Sequence, residues 1–449
     1  MALEITKELL NNVEDMIQNQ KDAALSELFA DIHHADIAEV LDELSFDDAV
    51  YIIRLLDSET TSDVLMEVDE EVRENIFEQL STKEIAEEID ELDTDDAADV
   101  IAELPEERKQ EVIQQIEDRE HAKEIVELLR YDEDSAGGLM AKELVKVNEN
   151  WNVLTCVKQM RQQAEYVTRV HSIYVIDDEG KLKGRLSLKD LLMASTRAKI
   201  SDVYIPNVDF VNVNDKAEEV ANIMRKYDLE AIPVIDELGV LVGRITIDDI
   251  VDVIKEEAEK DYQLAAGITQ DVDSEDSIWD LTKARLPWLF LGLIGGVGAF
   301  LIMEGFHESF SENAVLFFFT PLIAAMAGNV GVQSSAIIVQ GLANDDVKGS
   351  IKNRLIKEML LAALNGFMLA LVLFAFIWGY SGEVQKAFAI SVSLIVVIIV
   401  AGLIGTFIPL FLHKRGIDPA IATGPFITTS NDIFGILIYF TIAKMIIGF

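Results

Sequence analysis

The chain has 449 residues, of which 50% are hydrophobic, and it carries a formal net charge of −43 at pH 7. This length exceeds what one hydrophobic core can organise, so several domains are expected. The negative charge disfavours nucleic-acid binding and attracts cations. A single cysteine, Cys156, excludes a disulfide framework within the chain and a cysteine-rich metal site. Residues 1–10 lack a basic stretch before an apolar run, so we predict no cleaved signal peptide.

The charge is distributed unevenly along the chain. Residues 1–276 contain 70 acidic and 27 basic residues, whereas residues 277–449 contain ten of each. The sequence therefore predicts an acidic, water-exposed first part and a neutral, apolar second part. A solvated acidic surface and a cation-sensing surface both explain the charge of the first part.

Residues 45–116 contain a repeat with a period of twelve. Each unit opens with a residue that favours a helix start and continues with a pair of apolar turns. The units begin at Ser45, Asp57, Asp69, Ser81, Asp93 and Pro105. Because one short amphipathic helix cannot bury its apolar face alone, we predict that residues 1–131 form an α-solenoid. Asp95 and Asp96 fall at a helix start, where acidic residues are favourable in any case.

A second repeat, with a spacing of 59, relates residues 173–191 to residues 232–250. Each copy reads as a strand, a turn, a second strand and a capped helix, which predicts an α/β fold. The arrangement resembles the paired CBS domain, a regulatory module, and we assign residues 132–252 to it, with the copies meeting at about residues 200 and 201.

The CBS resemblance implies that a hydroxyl and a carboxylate in each copy can hold the ribose of an adenosine nucleotide such as ATP. These residues are Ser187 and Asp190 in the first copy and Thr246 and Asp249 in the second. The same spacing also suits a plain strand-to-helix cap, and both interpretations remain open.

Residues 253–276 continue as a predicted amphipathic connecting helix and linker. Asp249, Asp252, Glu256 and Glu259 follow one another at spacings of three or four, so their carboxylates share one helix face. Like charges at this spacing repel each other, so the face is either well solvated or directed at cations.

The neutral part contains five apolar runs that are long enough to cross a bilayer. They lie near residues 285–303, 314–340, 356–380, 387–412 and 420–447. Basic residues concentrate before the first run and in the second and fourth loops, whereas the first loop is acidic. By the positive-inside rule, residues 277–449 form an all-α, multi-pass domain in contact with lipid in a cell membrane. Its amino terminus is predicted to be cytoplasmic and its carboxyl terminus extracellular.

Two of these runs carry polar residues at mid-depth. The second contains Pro321 and the segment 328–335 (GNVGVQSS), and the fifth contains Pro425 and polar residues up to Asp432. Such segments are tolerated in a membrane where they are buried in protein or line a wet cavity, and we expect both helices to be broken. Asp432 is the only acidic residue near the centre of a run. A function is therefore expected for it, with a structural hydrogen bond as the alternative.

The order of these features resembles the MgtE family of magnesium channels over essentially the whole chain. The resemblance rests on the acidic helical repeat, the segment 134–140 (DSAGGLM) before the CBS pair, and the connecting helix. In the apolar part it rests on the segment 328–333 (GNVGVQ), on Asp418-Pro419 and on the segment 429–432 (TSND). It implies a homodimer with a pore on its two-fold axis, and a connecting helix that acts as a plug.

The resemblance also implies roles for individual residues. Asp432 matches the pore carboxylate, and Gly424, Thr428 and Asn329 are expected to line the pore. The regulatory Mg²⁺ ligands correspond to Asp95, Asp99, Asp228, Asp249, Asp252 and Glu257, with Asp418 at the cytoplasmic mouth. Gly424 departs from family members that have Asn at this position, which matters for selectivity if the side chain helps to line the pore.

The expected function is Mg²⁺ import through a channel that closes when intracellular Mg²⁺ binds the acidic sites, without enzymatic activity. One alternative is a secondary transporter that couples divalent metal to protons or sodium through Asp432. Another is a membrane sensor or enzyme whose CBS pair reads a nucleotide, although the sequence has no glycine-rich phosphate loop and no His/Cys metal cluster. Oxygen ligands suit several hard cations, so the preference among Mg²⁺, Mn²⁺ and Co²⁺ is left open.

Overall fold

The computed structural model describes residues 5–164, 167, 169–270, 272, 276–308, 314–343, 350–422 and 424–448. The chain divides into two compact units, Met1–Lys255 and Glu256–Phe449. The first unit contains short helices followed by two small sheets, and the second contains long apolar helices.

Ten short helices open the first unit in the described residues. They are α1 (Lys7–Gln18), α2 (Asp22–Phe29), α3 (His34–Asp42), α4 (Phe46–Ile53), α5 (Ser58–Glu67), α6 (Glu70–Gln79), α7 (Thr82–Ile89), α8 (Thr94–Glu103), α9 (Glu106–Gln115) and α10 (Arg119–Leu128). All six residues that open the twelve-residue units occupy N-cap positions of α4 to α9. Pro105 is itself an N-cap, so it lies one residue before the first helical turn in which it was expected. The side chain of Ser81 accepts a hydrogen bond from the main-chain N–H of Glu84. The carboxylate of Glu84 accepts one from the main-chain N–H of Ser81, and the two bonds form a capping box.

The apolar faces of these helices form one core, in which Ile52, Ile76, Ile85, Ile101 and Val112 are fully buried. The same core continues into the second CBS copy through residues such as Val220, Met224, Ile232 and Ile245. The first CBS copy has a core of its own around Val147, Cys156 and Val175. The helical repeats therefore pack on the second CBS copy within one unit.

The CBS pair contains two sheets. The first copy comprises β1 (Val145–Asn148), α11 (Val153–Gln163), β2 (Ile173–Ile176), β3 (Leu182–Leu186), α12 (Leu188–Met193), a 3₁₀ turn (Ile200–Asp202) and β4 (Ile205–Pro206). The second comprises β5 (Val211–Asn212), α13 (Ala217–Tyr227), β6 (Ala231–Ile235) and β7 (Leu241–Thr246). The sheet orders are β1-β2-β3-β4 and β5-β6-β7. The pairs β1–β2 and β5–β6 are parallel, and the other pairs are antiparallel. The hairpins β2–β3 and β6–β7 each turn at a glycine with a φ of +81°, Gly180 and Gly239, which lie 59 residues apart.

The connecting helix α14 (Ile247–Ala266) crosses from the first unit into the second. It is followed by α15 (Ile278–His307), α16 (Val315–Phe318), α17 (Thr320–Ala343), α18 (Ile351–Ser381), α19 (Val384–Lys414), a 3₁₀ turn (Pro419–Ala422) and α20 (Gly424–Ile447). In the described part of the chain, five helical segments are long and apolar enough to cross a membrane, and they correspond to the five predicted runs. The expected fold class is thereby confirmed.

The second unit is organised around α19, against which α17, α18 and α20 pack. Its core contains Leu394, Val397 and Ile398 from α19, with Tyr439 and Phe440 from α20. Large apolar side chains on the outside of α15 and α18, including Leu293 and Phe367, are exposed. Lipid tails are as apolar as these side chains, so such a surface suits a bilayer.

The expected break within the second span was wrong. Residues 328–335 lie inside the continuous helix α17, and Pro321 falls in its first turn, where its missing N–H is not needed. The main-chain carbonyls of this segment are thus occupied by the helix and do not supply free ligands. In the fifth span, α20 begins at Gly424, immediately before Pro425, and then runs without a break.

Candidate functional site

A cavity of about 360 Å³ in the second unit brings together three of the residues expected along a pore. Its walls come from α17 and α20. They are Ala324, Ala325, Gly328, Asn329, Val332, Gln333, Thr428 and Asp432. Asp432, Asn329 and Thr428 therefore share one water-accessible space, whereas Gly424 is not part of its lining.

Helical periodicity explains why these residues meet. Ala325, Gly328, Asn329, Val332 and Gln333 follow spacings of three and four, which places them on one face of α17. Thr428 and Asp432 are four residues apart on α20.

A glycine lets the two helices approach each other closely. A Cβ atom at Gly328 would lie 3.1 Å from Cγ2 of Thr428 and 3.6 Å from Oδ1 of Asp432. The absence of a side chain at Gly328 thus gives the polar face of α20 access to the cavity.

The chemistry of this cavity suits a hydrated cation. Asp432 supplies a carboxylate, and Asn329 and Gln333 supply amide oxygens, which are the ligands that hard divalent cations accept. Six waters at about 30 Å³ each occupy about 180 Å³, so an ion with its first hydration shell fits the available volume. A charged side chain at this depth in a membrane segment marks an ion or substrate pathway by default.

Gly424 lies at the junction between α14 and α20. Its φ is +48°, a left-handed conformation, and a Cβ atom there would overlap the main-chain carbonyl of Ala265 at the end of α14. A Cβ atom at Gly267 would likewise press on the ring of Pro425. Gly424 therefore allows the end of the connecting helix to contact the start of α20 directly.

Two other expected metal ligands in the second unit have protein partners. The Oδ1 atom of Asp418 accepts a hydrogen bond from the main-chain N–H of Ala420 at 2.8 Å, and Asp418 is exposed. Glu257 forms an ion pair with Lys260 at 3.2 Å on α14. Both carboxylates are accessible enough to exchange these partners for a cation.

A second group of acidic side chains lies in the first unit, where the helical repeats meet the CBS pair. One oxygen from each of Asp93, Asp95 and Glu143 lies within 4.8 Å of the others. The N–H and Oγ1 of Thr94 both donate to Oε2 of Glu143, at 3.3 and 2.9 Å. Oγ1 of Thr94 also accepts from the N–H of Lys142 at 2.8 Å, so the start of α8 is tied to the segment before β1.

The carboxylates of this region are buried near one another, and both burial and mutual repulsion raise their pKa values. Burial raises the pKa of Asp95 well above its ordinary value, and the charges of Asp96 and Asp249 raise it further. Burial also raises the pKa of Asp96 to about 7, with Asp249 as the next cause. Burial raises the pKa of Asp99 to about 7, and neighbouring carboxylates, including that of Asp249, add to the shift.

We refer to Asp93, Asp95, Asp96, Asp99, Glu143 and Asp249 as the acidic cluster. The cluster brings together Asp95, Asp99 and Asp249 from the expected regulatory set. Carboxylates that repel each other in a partly buried site are stabilised by a bound proton or a cation. The arrangement can therefore bind a divalent ion between the helical repeats and the CBS pair.

A buried arginine already supplies one positive charge to the acidic cluster. Nε of Arg244 donates to the main-chain carbonyl of Glu143 at 2.5 Å, and its Nη2 lies 3.4 Å from Oδ2 of Asp93. Only 5% of Arg244 is exposed. Sequence reasoning missed Asp93, Glu143 and Arg244 as site residues. The available signal for Arg244 was a charged residue in strand β7, whose other residues are uncharged.

Asp228 and Asp252 are both largely exposed on the first unit. Asp228 is the C-cap of α13, with a left-handed φ of 51°, and Asp252 lies on α14. The structure therefore places these two residues at the surface and not inside the acidic cluster.

The candidate nucleotide ligands form strand-to-helix caps. The N–H of Asp190 donates to Oγ of Ser187 at 3.4 Å. In the second copy, the N–H and Oγ1 of Thr246 donate to Oδ2 of Asp249 at 3.0 and 2.7 Å. The two copies thus use the same pair of positions for a local cap. In the first copy the hydroxyl accepts from the acidic residue, and in the second copy the carboxylate accepts from the threonine.

Comparison with known proteins identifies the family. The sequence model of the MgtE family, described as divalent cation transporters, matches residues 320–442. The family model of the MgtE intracellular N domain matches residues 32–134. CBS domain models match residues 136–197 and 200–256. The magnesium transporter MgtE of Enterococcus faecalis is 37% identical over 320 residues, which cover 71% of this chain and 70% of that protein. The chain belongs to the MgtE family.

Further MgtE relatives agree with this assignment. The magnesium transporters MgtE of Bacillus subtilis and Thermus thermophilus are each 35% identical and cover 71% of this chain, and 71% and 72% of their own lengths. The crystal structure of a cytosolic domain of the Mg²⁺ channel MgtE in complex with ATP is 33% identical. It covers 54% of this chain and 99% of its own, with a TM-score of 0.51. The soluble part of a magnesium transporter is 29% identical, with coverages of 56% and 99% and a TM-score of 0.50.

Proposed function

We propose that this chain is a magnesium channel of the cell membrane that imports Mg²⁺ and is closed by intracellular Mg²⁺. The observation that carries the proposal is the cavity that Asp432, Asn329 and Thr428 line together. Membership of the MgtE family supports Mg²⁺ as the transported ion and transport, not catalysis, as the activity.

The proposed pore lies on the two-fold axis of a homodimer and receives one Asp432 from each subunit. Mg²⁺ prefers six oxygen ligands and gives up water reluctantly, so two carboxylates hold the hydrated ion through its waters. Because α17 is a continuous helix, amide side chains such as Asn329 replace free main-chain carbonyls as the supporting ligands. Binding of this kind is weak enough to release the ion, as conduction requires.

The acidic cluster is proposed as the sensor of intracellular Mg²⁺. When Mg²⁺ is scarce, repulsion between the carboxylates of α8 and Asp249 favours separation of the helical repeats from the CBS pair. When Mg²⁺ is abundant, bound ions bridge the two parts, and the connecting helix is held in its closed position. Asp228, Asp252, Glu257 and Asp418 contribute further ligands in this scheme.

The energetics of such a gate are realistic. Moving a two-state equilibrium from 1:99 to 99:1 takes about 5.5 kcal/mol of differential binding. Four sites that each prefer the closed state by about tenfold, or about 1.4 kcal/mol, supply that amount.

The proposed topology has a cytoplasmic amino terminus, an extracellular carboxyl terminus and five spans in contact with lipid. The distribution of basic residues among the loops supports this orientation. The proposed domain boundaries are residues 1–131, 132–252, 253–276 and 277–449.

ATP is proposed as a ligand of the CBS pair, in line with the related cytosolic domain that was crystallised with ATP. The Ser187 and Asp190 cap is the better candidate, since Asp190 is exposed, whereas Asp249 is already engaged with Thr246. Calorimetric titration of the native chain and of Asp190→Ala with ATP tests this assignment. Equal affinities would contradict a role for Asp190.

The pore assignment is tested by Mg²⁺ uptake into dye-loaded proteoliposomes. Asp432→Asn keeps the size of the side chain but removes its charge, so Mg²⁺ uptake is expected to fall at least tenfold. Glu383→Gln changes an exposed carboxylate at the start of α19, paired with Lys386, and is the matched control. Native uptake that persists unchanged in Asp432→Asn would contradict the proposed pore.

The sensor assignment is tested by the double variant Asp249→Ala, Asp252→Ala. It is expected to remain open at cytoplasmic Mg²⁺ concentrations that close the native channel. Normal closure in this variant would refute the assignment.

A coupled secondary transporter is the second candidate, because a membrane-embedded carboxylate such as Asp432 can also exchange a proton. A channel conducts Mg²⁺ without a proton or sodium gradient and produces unitary currents. Mg²⁺ flux that depends strictly on such a gradient would favour the transporter.

A further inference from the structure

A second carboxylate in the membrane unit, Glu358, contacts the pore-lining helix from the side opposite to the cavity. Glu358 lies on α18, eight residues into the helix, and is partly buried. Its Oε1 atom accepts a hydrogen bond of 2.6 Å from Oγ of Ser334 on α17. Ser334 directly follows the cavity residues Val332 and Gln333 on the same helix.

A glycine on a third helix makes room for this carboxylate. A Cβ atom at Gly402 on α19 would lie 2.8 Å from Oε1 of Glu358. The carboxylate is thus enclosed by α17, α18 and α19, and its position is specific. Placing a carboxylate inside a membrane segment is costly, so a partnered one is expected to have a task.

The neighbouring turn of α17 is fixed on its other sides by close contacts. A Cβ atom at Gly331 would overlap the side-chain amide of Asn431, the neighbour of Asp432 on α20. A Cβ atom at Gly405 on α19 would overlap the main-chain carbonyl of Gly331. These contacts limit how closely the helices approach, and the hydrogen bond between Ser334 and Glu358 adds a directional constraint on the rotation of α17 about its axis.

We propose that Glu358 is a positioning residue for ion conduction: through Ser334 it sets the rotation of α17 that turns Asn329 and Gln333 towards Asp432. This inference rests on the proposed pore. Successive residues on a helix are separated by about 100°, so a rotation by a fraction of that angle changes the direction in which the two amide side chains point relative to Asp432. Removing one partner of a buried hydrogen bond leaves the other partner unsatisfied, so the loss of this bond is expected to change conduction by about tenfold.

Four variants separate a positioning role from a general structural one. Ser334→Ala and Glu358→Ala each remove the hydrogen bond and are expected to lower Mg²⁺ flux by about tenfold and to change the ratio of Mg²⁺ flux to Mn²⁺ flux. Glu358→Gln retains an acceptor oxygen for Ser334, so its Mg²⁺ flux and its ratio of Mg²⁺ flux to Mn²⁺ flux are expected to stay close to those of the native protein. Gly402→Ala pushes the movable end of the Glu358 side chain away and is expected to resemble Ser334→Ala.

The matched control is Gly379→Ala on α18, where an added Cβ atom meets nothing within 4 Å and flux should stay native. Flux and the Mg²⁺ to Mn²⁺ ratio are measured in proteoliposomes of the full-length protein, and chromatography checks that each variant is folded. Native behaviour of Ser334→Ala and Gly402→Ala would overturn the proposal even if Glu358→Ala fails to fold. Loss of flux in Glu358→Gln would also overturn it, because the charge itself would then be required. Absence of flux in the native protein would instead refute the proposed pore.

Discussion

The raised pKa of Asp96 makes a quantitative prediction about how pH affects the contact between the helical repeats and the CBS pair. When the two parts are in contact, burial and the charge of Asp249 hold the pKa of Asp96 at about 7. When they separate, this pKa returns towards its ordinary value of 3.8. The contact is therefore favoured by protonation, and it weakens as the pH rises from about 4 to about 7.

The size of the effect follows from these two values. Between pH 8 and pH 6, Asp96 changes from mostly ionised to mostly protonated in the docked state but stays ionised in the separated state. Acidification from pH 8 to pH 6 therefore stabilises the docked state relative to the separated state by about 1.4 kcal/mol, which is about a tenfold change in the docking equilibrium. Asp99 titrates in the same range but is more exposed, so solvent screens its contribution.

The assay is fluorescence energy transfer in the full-length protein without Mg²⁺, with one dye on the helical repeats and one on the CBS pair. Transfer efficiency is expected to rise on acidification from pH 8 to pH 6. In Asp96→Asn, the change in the docking equilibrium between pH 8 and pH 6 should be about tenfold smaller than in the native protein. Glu91→Gln, at an exposed nearby position, should show the native change. Docking that is insensitive to pH, or equally sensitive in Asp96→Asn, would refute the reasoning.

Three further variants test other parts of the structure. Arg244→Gln removes the internal cation of the acidic cluster and its hydrogen bond to Asp93, so Mg²⁺-free docking should weaken by about 2 kcal/mol in the same assay; unchanged docking would contradict this. Gly424→Asn forces a side chain against the carbonyl of Ala265, so closure should require more Mg²⁺ than in the control Gly416→Asn, where there is open space; equal closure in both would show that the junction is not part of the gate. Tyr439→Phe loses a buried 2.8 Å hydrogen bond to a main-chain carbonyl, and the unfolding temperature should fall by about 2–4 °C; an unchanged temperature would argue against this contribution.

Local sequence signals predicted the helical repeats and the spans well. Ser45 and Asp57 accept hydrogen bonds from N–H groups three residues later, and such caps depend on neighbouring residues only. The five spans follow from the length of their apolar runs, which needs no knowledge of packing.

Features that depend on distant residues were not predictable in this way. Arg244 and Asp93 are 151 residues apart in the chain, and only the folded first unit brings them together. The glycines of 328–335 suggested a broken helix, but Gly331 serves instead as the place where Asn431 packs against α17. Glycine in a membrane helix signals either a break or a close approach, and the partner helix decides between them.

Electrical recording from the purified full-length protein in a planar bilayer is the most direct test of the central claim. The account predicts Mg²⁺ current that falls as Mg²⁺ is raised on the cytoplasmic face. Asp432→Asn should reduce the size of this current without changing the cytoplasmic Mg²⁺ concentration that closes the channel. Absence of Mg²⁺ current at every Mg²⁺ concentration, or a current that cytoplasmic Mg²⁺ leaves unchanged, would contradict a magnesium channel closed by its own ion.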